Sequence, residues 1–202
     1  KDQRLLRLPQ EDCCQALSVL PNLKYQSDGG PGIRDIADLL KGSDEPDADL
    51  RLLFKAQIVF WLLGATDGHA KNFSLRLAPG GRFRLTPLYD IMSAQPSADA
   101  GQIQRKQMRM AMALGRQRHY IVDSISLRHF EQTAELSGYS LASLRSIVDE
   151  LQDAFVAAID RTIDELPSSF PESITASVRE AGQKRLGQLT AADIAKGASA
   201  QD

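Results

Sequence analysis

The sequence contains few cysteines. Only Cys13 and Cys14 occur among the 202 residues, and they are adjacent. Side chains that follow each other directly on a helix point about 100° apart, so this pair is poorly placed to form a disulfide. Because the chain has no other cysteine as a partner, we expect a protein of a reducing compartment and predict a cytoplasmic location.

Strong net charge and long apolar runs are also absent. The net charge of −2 does not indicate a nucleic-acid binder, and any such role would require a local basic patch. No apolar run approaches the roughly 18 residues that a membrane span needs, so we predict no membrane association. No signal peptide is recognised. The first residue is Lys1 rather than Met, and we expect a piece of a longer protein.

The remaining composition is that of a globular protein, and its pattern predicts mostly helices. Hydrophobic residues make up 43% and charged residues 25% of the chain. A core helix is predicted over residues 47–63, because apolar side chains recur three and four positions apart and Gly64 follows as a stop. Further helices are predicted to start at Pro9, Ile33, Ser124 or Ser126, Ser140 and Pro171, with Pro167 ending the long helix that starts at Ser140.

Two segments change to the alternating pattern of β-strands. Apolar residues alternate from Phe73 to Leu77 and again from Phe83 after a Pro-Gly-Gly turn, which predicts a β-hairpin. Three alternating methionines at residues 108–112 predict another strand with one apolar face. Core filling explains these methionines more simply than a binding surface does.

The most informative segment is the loop GATDGHAKN at residues 64–72, directly after the predicted core helix. Asp67 precedes Asn72 by five residues, and Asp90 follows Asn72 by eighteen, after one complete hairpin. Phosphoryl transfer needs a carboxylate that orients the attacking hydroxyl or accepts its proton, and oxygen ligands for Mg²⁺. Protein-kinase-like enzymes use these residue types in this order. Asp67 is therefore a candidate base, and Asn72 and Asp90 are candidate metal ligands.

Each of these residues also has a simpler structural interpretation. Asp67 has the type and place of a common turn former, and Asn72 and Asp90 can each cap a turn. A single histidine such as His69 is more typical of a structural residue, and Lys71 beside a carboxylate is usually a solvated surface charge. The spacing of Asp67 and Asn72 is weak evidence alone. Its combination with a hairpin and Asp90 is more specific, and it leaves kinase chemistry and a structural role both open.

Several segments resemble the HipA family of toxin serine/threonine kinases. The resemblance rests on FWLLGATDGHAKNFSL and RLTPLYDI, and also on LRLPQEDCCQAL, KYQSDGGPGI, SISLRHFEQTAELSGY and LPSSFPESI, and it covers residues 4 to about 190. It implies ATP and Mg²⁺ as cofactors, with Asp67 as the catalytic base and Asn72 and Asp90 as the metal ligands. The nucleotide-contacting positions that it implies are His69, Ala70, Lys71, Asn72, Tyr89 and Asp90.

The resemblance also implies a fold, and one part of that fold has no counterpart in the sequence. HipA kinases carry an N-terminal lobe with a loop over the phosphates, a nucleotide-contacting lysine and a hinge that holds adenine. No glycine-rich phosphate loop precedes the catalytic loop, since DGGPG at residues 28–32 is a turn cluster. We therefore expect residues 1–202 to form the mainly α-helical C-terminal lobe of a kinase-like fold, with a small β-hairpin beside the catalytic loop and without the nucleotide-binding lobe.

Partners are further implications of the resemblance. We expect a toxin–antitoxin system with a HipB-like helix-turn-helix antitoxin, a substrate in the translation machinery, and DNA contacted only through or beside the antitoxin. A basic stretch at residues 105–118 could touch DNA phosphates, although a solvated strand face explains it more simply. Two other functions stay open, namely a small-molecule phosphotransferase with the same loops and a non-catalytic partner-binding domain.

Overall fold

The computed structural model describes the backbone of residues 7–198 and the side chains of residues 7–189. The helices are α1 (Cys13–Ala16), α2 (Ile33–Leu40), α3 (Pro46–Leu63), α4 (Gln95–Asp99), α5 (Leu127–Leu136), α6 (Leu141–Asp164) and α7 (Glu172–Ala198). The strands are β1 (Gln10–Asp12), β2 (Ser74–Ala78), β3 (Arg82–Leu85), β4 (Arg109–Leu114) and β5 (His119–Ile121). The predicted mainly α-helical class is confirmed. Among the described residues, no helix is long and apolar enough to cross a bilayer.

The core is built around α3, which confirms the helix predicted at residues 47–63. Pro46 stands in its first turn, and Gly64 ends it in the left-handed conformation with a φ of 65°. Trp61 is fully buried, and its indole nitrogen donates a hydrogen bond to Val122 O at 2.9 Å. Helices α2, α6 and α7 pack around α3, so the loop that follows α3 emerges from the centre of the core.

Strands β1, β2 and β3 form an antiparallel sheet in chain order. β2 and β3 pair directly, across a turn in which Gly80 and Gly81 have φ values of 81° and 75°. Angles of this kind favour glycine, which explains the Pro-Gly-Gly sequence at the turn. β1 pairs with β2, and Glu11 lies opposite Leu75. The first strand of the described chain therefore lies against the strand that follows the loop.

The helix predicted to start at Pro9 begins later, so that prediction was wrong. Residues Gln10–Asp12 form β1, and α1 starts only at Cys13. The Asp12 carboxylate accepts a hydrogen bond from Gln15 N, and the Gln15 side chain accepts one from Asp12 N, both at 2.9 Å. This reciprocal cap fixes the start of the helix, and it outweighs the proline signal.

The methionines near β4 fill the core, as the sequence suggested. Met108, Met110 and Met112 are all buried. Ala111 and Ala113, which point to the opposite face of the strand, are buried too, so β4 is covered on both faces rather than on one. Small alanine side chains let a second layer of structure approach this strand closely.

Helices α6 and α7 pack against each other and against α3. Ser140 is the N-cap of α6, and its hydroxyl accepts a hydrogen bond from Ser143 N at 3.4 Å. The two helices approach closely at Gly182, where a Cβ would lie 2.8 Å from the Phe155 ring. Only glycine fits there without displacing the ring, so the contact of Gly182 with Phe155 sets the distance between α6 and α7 at this point.

Candidate active site

The end of α3 is fixed by hydrogen bonds from two later parts of the chain. Arg185 on α7 is buried, and its Nη1 donates to Leu62 O at 2.9 Å. Ser93 Oγ donates to Leu63 O at 2.6 Å. The last carbonyls of a helix have no partner within it, so these donors satisfy groups that would otherwise be buried and unpaired. The loop after Gly64 therefore starts from a fixed point.

Gly68 lets the loop turn tightly against α3. A Cβ at this position would lie 2.5 Å from two atoms of the Phe60 ring, which is closer than carbon atoms can approach. Phe60 is buried, and its ring cannot move aside without disturbing the close-packed core. Glycine is therefore required between Asp67 and His69, and it brings their backbone onto the helix.

Asn72 and Asp90 are in direct contact, as the order of loop and hairpin predicts. Residues Ala70–Asn72 form a short 3₁₀ helix, and Asn72 Oδ1 accepts a hydrogen bond from His69 N at 3.1 Å. Asn72 Nδ2 donates to Asp90 Oδ2 at 3.0 Å. Asn72 is buried, whereas Asp90 is exposed. The β2–β3 hairpin thus returns the chain so that an amide and a carboxylate meet at the edge of the loop.

Asp67 lies at the surface of the loop, and its carboxylate is held through one oxygen. Tyr25 Oη donates to Asp67 Oδ1 at 2.6 Å, while Asp67 Oδ2 lies 3.9 Å from His69 Nε2. The hydrogen bond to Asp67, followed by partial burial, raises the pKa of Tyr25 to about 12. Tyr25 therefore stays protonated and remains a hydrogen-bond donor near neutral pH. Because it bonds to Oδ1 alone, the second oxygen of Asp67 stays open.

His69 is buried next to Asp67 and is neutral near pH 7. Burial lowers the pKa of His69, although the nearby Asp67 carboxylate opposes the shift. The imidazole ring meets the Tyr25 ring edge-on, with centroids 5.1 Å apart. Its Nδ1 is buried and has no hydrogen-bond partner among the described residues. A buried ring nitrogen of this kind is costly unless a further group pairs with it.

Tyr89 and Lys71 tie the loop to the first sheet. Tyr89 Oη donates to Lys71 O at 2.6 Å and lies 2.6 Å from Ser74 Oγ. Lys71 Nζ forms an ion pair with Asp12 Oδ2 at 2.8 Å, and this hydrogen bond raises the pKa of Lys71. The tyrosine hydroxyl and the lysine ammonium, both expected near nucleotide, are thus engaged within the chain.

Asp67 and Asp90 line one small cleft together with Gly68 and Met92. Asp90 has a φ of 57°, a left-handed conformation that is uncommon for a residue with a side chain. Such a conformation persists only where surrounding contacts impose it, and the hydrogen bond from Asn72 is one such contact. The candidate base and a candidate metal ligand therefore border the same narrow crevice.

The donors at Asn72 and Asp90 suit Mg²⁺ that is bound together with phosphate. The Asp90 carboxylate and Asn72 Oδ1, which already accepts one hydrogen bond from His69 N, each keep an oxygen lone pair, the kind of ligand that Mg²⁺ prefers. The described part of the chain contains no group of three or more His, Cys, Asp or Glu residues that could hold a metal. Two protein ligands leave most octahedral positions to water and phosphate oxygens, which is the usual arrangement for this ion.

Two residues at the site could not be singled out from the sequence. Tyr25 lies in a turn-rich segment, and no spacing rule connects it to Asp67, 42 positions later. Its place depends on Gln26, whose Oε1 accepts a hydrogen bond from Ala113 N on β4 at 2.7 Å. The only signal was that Tyr25 belongs to a segment resembling HipA. Arg185 had no signal, because its contact with α3 exists only in the folded chain.

The basic stretch at residues 105–118 is partly neutralised by neighbouring carboxylates. Arg105 Nη2 lies 3.3 Å from Asp99 Oδ1, and Arg116 Nη2 lies 2.9 Å from Glu135 Oε2. These are exposed ion pairs, which is the arrangement of a solvated surface. The geometry therefore favours the simpler of the two interpretations of this stretch.

Comparisons with known proteins define the family. The model of the HipA-like C-terminal domain matches residues 2–159, and the chain belongs to this family. "Putative kinase Y4mE" of Sinorhizobium fredii is 33% identical over 156 residues, which are 77% of this chain and 35% of that protein. The serine/threonine-protein kinase toxin HipA of Shewanella oneidensis is 31% identical over 110 residues, which are 48% of this chain and 25% of that protein.

Solved structures show the same fold. HipA of Shewanella oneidensis, in a complex with HipB and operator DNA, aligns with 93% of this chain and 44% of its own at 23% identity, with a TM-score of 0.77. The Helicobacter pylori proinflammatory kinase CtkA aligns with 93% of this chain and 70% of its own at 12% identity, with a TM-score of 0.51. The chain spans only about a third or less of the two curated relatives above.

Proposed function

We propose that this chain is the catalytic half of an ATP-dependent serine/threonine-protein kinase toxin of the HipA type. In this proposal residues 1–202 form the C-terminal lobe, with the β2–β3 hairpin beside the catalytic loop, and another part of a longer protein supplies the nucleotide-binding lobe. The observation that carries the proposal is the hydrogen bond of 3.0 Å between Asn72 and Asp90, beside a cleft that Asp67 also lines. The family membership and the kinase names of the relatives support it.

Asp67 is the proposed base for the acceptor hydroxyl. Tyr25 holds Asp67 Oδ1, so Oδ2 stays available for a serine or threonine hydroxyl. A carboxylate within hydrogen-bond reach orients that hydroxyl and accepts its proton as the oxygen attacks phosphorus. Neutral His69 places no positive charge beside the carboxylate that would compete for it.

Asn72 and Asp90 are the proposed ligands of Mg²⁺. The ion, when bound with ATP, would neutralise charge on the phosphate oxygens during transfer. The protein contributes by holding the Asn72 amide beside the Asp90 carboxylate before any ligand arrives, with Asn72 Nδ2 toward Asp90 and Oδ1 toward His69 N. The hydrogen bond between the two side chains sets their separation, and the burial of Asn72 limits its motion.

The proposed nucleotide contacts of the remaining loop residues differ in kind. His69 offers its unpaired Nδ1, and Ala70 offers backbone groups at the start of the 3₁₀ helix. Lys71 and Tyr89 act mainly by position, because their hydrogen bond ties the loop to the segment that carries Asp90. The ammonium of Lys71 has two further protons with which it can reach a phosphate.

The openness of the site favours a protein acceptor over a small molecule. The side chain of Asp67 is 49% exposed, and that of Met92, which lines the same cleft, is 71% exposed. A small-molecule kinase would enclose most of its acceptor in a pocket. An exposed base is instead accessible to a hydroxyl on the surface of another protein.

The partners in this proposal follow from the family. A HipB-like helix-turn-helix antitoxin is proposed because the HipA relative was solved in a complex with HipB and operator DNA. DNA would be contacted through or beside that antitoxin. A substrate in the translation machinery, a cytoplasmic location and a role in persistence are proposed on the resemblance to HipA toxins.

Calorimetry with the longer protein tests the metal assignment. Asn72→Ala and Asp90→Ala each remove an oxygen donor, so each should weaken Mg²⁺-dependent ATP binding by roughly tenfold or more, a loss seen even for groups that only support metal ligands. Asp38→Ala, an exposed carboxylate on α2, is the matched control and should leave binding unchanged. Unchanged Mg²⁺ dependence in both site variants would place the metal elsewhere.

A further inference from the structure

An apolar groove of about 640 Å³ opens between α3, α6 and α7. Phe155, Ala158 and Ile159 line its α6 side, and Ile174 and Val178 line its α7 side. The volume is within the range of ligand and peptide sites in proteins. The groove is therefore large enough to receive side chains from a second molecule.

Helices α6 and α7 are held together around residues 155–160 and 179–182, beyond the open groove. Gly182 lies against Phe155 there, and Arg179 Nε forms an ion pair with Asp160 Oδ1 at 2.6 Å. Nearer the start of α7, Ile174 remains 38% exposed and lines the open groove. The exposed apolar surface is thus concentrated on the part of α7 that α6 does not cover.

The groove lies next to the candidate active site. Leu63, the last residue of α3 before the catalytic loop, lines its floor. Ile91, which directly follows Asp90, lines both the groove and the cleft that contains Asp67. A molecule in the groove would therefore extend to the point where Asp67 and Asp90 meet the solvent.

The groove lining carries charge at one end only. Lys55 and Glu150 are the only charged residues that line it within the described chain, and Lys55 Nζ lies 2.5 Å from Glu150 Oε1. Arg51 Nη2 also bonds to Glu150, at 2.7 Å. Glu150 is thus shared by two cations, and the rest of the described groove lining carries no charge. Recognition in this groove must rest on apolar contacts.

We propose that the groove binds an apolar, helix-forming segment of the protein substrate and so presents a nearby serine or threonine to Asp67. This inference rests on the proposed kinase function. The α6 side runs from Leu151 to Ile163, which is about 18 Å at 1.5 Å per residue and matches about three helical turns. An amphipathic helix of that length offers anchors at positions i, i+3 or i+4, and i+7, the spacing that helix-in-groove binding uses.

Peptide binding tests the groove without any need for catalysis. Two fluorescent peptides of about 16 residues would share one serine, with leucine at the helical anchor positions in one and glutamine in the other. The leucine peptide should bind this 202-residue chain with saturable polarisation, about tenfold or more tighter than the glutamine peptide, and independently of salt. Equal affinity of the two peptides, or a steep salt dependence, would overturn the proposal.

A matched pair of variants assigns the binding to the groove. Ala158 lines the groove, whereas its neighbour Ala157 on the same helix is exposed and does not line it. Ala158→Glu should lower the affinity for the leucine peptide by about tenfold, because a charge would be buried against the apolar ligand. Ala157→Glu should leave it unchanged. Full affinity in Ala158→Glu would show that the peptide binds elsewhere.

The longer protein separates substrate docking from other uses of the groove. It should phosphorylate the leucine peptide with a lower KM than the glutamine peptide, and Ala158→Glu should abolish that difference while transfer to the glutamine peptide continues. Peptide binding by the 202-residue chain but not by the longer protein would assign the groove to an internal contact and overturn the proposal. Peptide binding without any transfer, including autophosphorylation, would contradict the kinase function itself and with it the substrate role of the peptide.

Discussion

The two oxygens of the Asp67 carboxylate lie in different surroundings, and this difference has consequences for its proposed role. Oδ1 accepts the hydrogen bond from Tyr25 at 2.6 Å, while Oδ2 has only the more distant His69 ring at 3.9 Å. A base works best when its free oxygen is aimed at the proton before the substrate arrives. We interpret Tyr25 as a positioning residue that acts through Asp67.

Tyr25→Phe tests this interpretation in the longer protein. The variant keeps the ring next to His69 and removes only the hydroxyl that holds Asp67. Loss of one hydrogen bond of about 0.5–1.5 kcal/mol should lower kcat about two- to tenfold, with KM for ATP little changed. Steady-state kinetics give both constants. An unchanged kcat would mean that Tyr25 does not position the base.

Two buried histidines should make the fold sensitive to mild acid. Burial lowers the pKa of His69 and of His129 below the ordinary value of 6.5, and the His119 ring, 4.0 Å away, adds to the shift at His129. A group whose pKa is lower in the folded protein contributes its full stabilisation above the pKa that it has in the unfolded chain. That stabilisation is lost as the pH falls through its pKa in the folded protein. Asp99 and Glu150 also have lowered pKa values, but their loss comes at still lower pH.

His129→Asn isolates one of these contributions. His129 Nδ1 accepts a hydrogen bond from Ser126 N at 3.0 Å, and the asparagine oxygen can accept it without titrating. The Tm of the wild type should decrease as the pH is lowered from about 7.5 to about 5.5. In the variant this decrease should be about half as large. Differential scanning calorimetry at the two pH values gives the comparison. Equal falls in the two proteins would remove His129 from this account.

Among the structural elements, the loop depends on helices that are distant in sequence. Arg185 on α7 donates to Leu62 O at the end of α3 and to Gln95 Oε1 on α4, at 2.9 and 2.5 Å. One buried guanidinium thus joins three helices directly beside the candidate catalytic loop. The geometry of the loop is therefore a property of the packed core and not of the loop sequence alone.

Arg185→Met should be strongly destabilising for that reason. Methionine retains much of the side-chain length, but it leaves the Leu62 carbonyl and the Gln95 side chain buried without a donor. Hydrogen bonds from charged groups contribute about 1.5–3 kcal/mol each, so we expect an unfolding free energy lower by at least that amount. Lys184→Met on the same helix changes an exposed side chain and should have little effect. Similar denaturation midpoints for the two variants would contradict the anchoring role.

Local signals explain which elements could be predicted from the sequence. α3 was predicted because its apolar spacing and Gly64 agree, and the meeting of Asn72 with Asp90 was anticipated because a hairpin must return the chain. Strand β1 was mistaken for helix because its identity depends on pairing with β2, which local sequence does not contain. Tyr25 and Arg185 escaped prediction for the same reason, since long-range packing alone gives them their partners.

At the scale of the whole molecule, the described chain builds a core and leaves Asp67 and Asp90 at its surface. The long helices α3, α6 and α7 pack together, and the candidate catalytic loop lies at their edge with Asp67 and Asp90 exposed. Kinases divide the work between a part that grips the nucleotide and a part that supplies the base and metal ligands. Positioning of the reactants can account for roughly 7–11 kcal/mol of a barrier, and most of it is forfeited when one part is missing.

The 202-residue chain alone should therefore fold without binding ATP tightly. Its circular dichroism spectrum should be strongly helical, because helices such as α3 and α6 pack a core of their own. Titration with Mg²⁺–ATP should show no saturable binding in the micromolar range, and no autophosphorylation should occur. Tight ATP binding by this chain alone would mean that the nucleotide site lies within it, and the proposed division into two lobes would have to be abandoned.

The most direct measurement is phosphoryl transfer by the longer protein with the substitution Asp67→Asn. The amide has the volume of the carboxylate and keeps an oxygen for Tyr25, but it cannot accept a proton. Transfer should fall by about 10²–10⁴-fold, the contribution typical of a general base, while Mg²⁺–ATP affinity and the thermal unfolding midpoint stay near those of the wild type. Near-normal turnover by Asp67→Asn would contradict the assignment of Asp67 as the base and the phosphoryl-transfer site built around it.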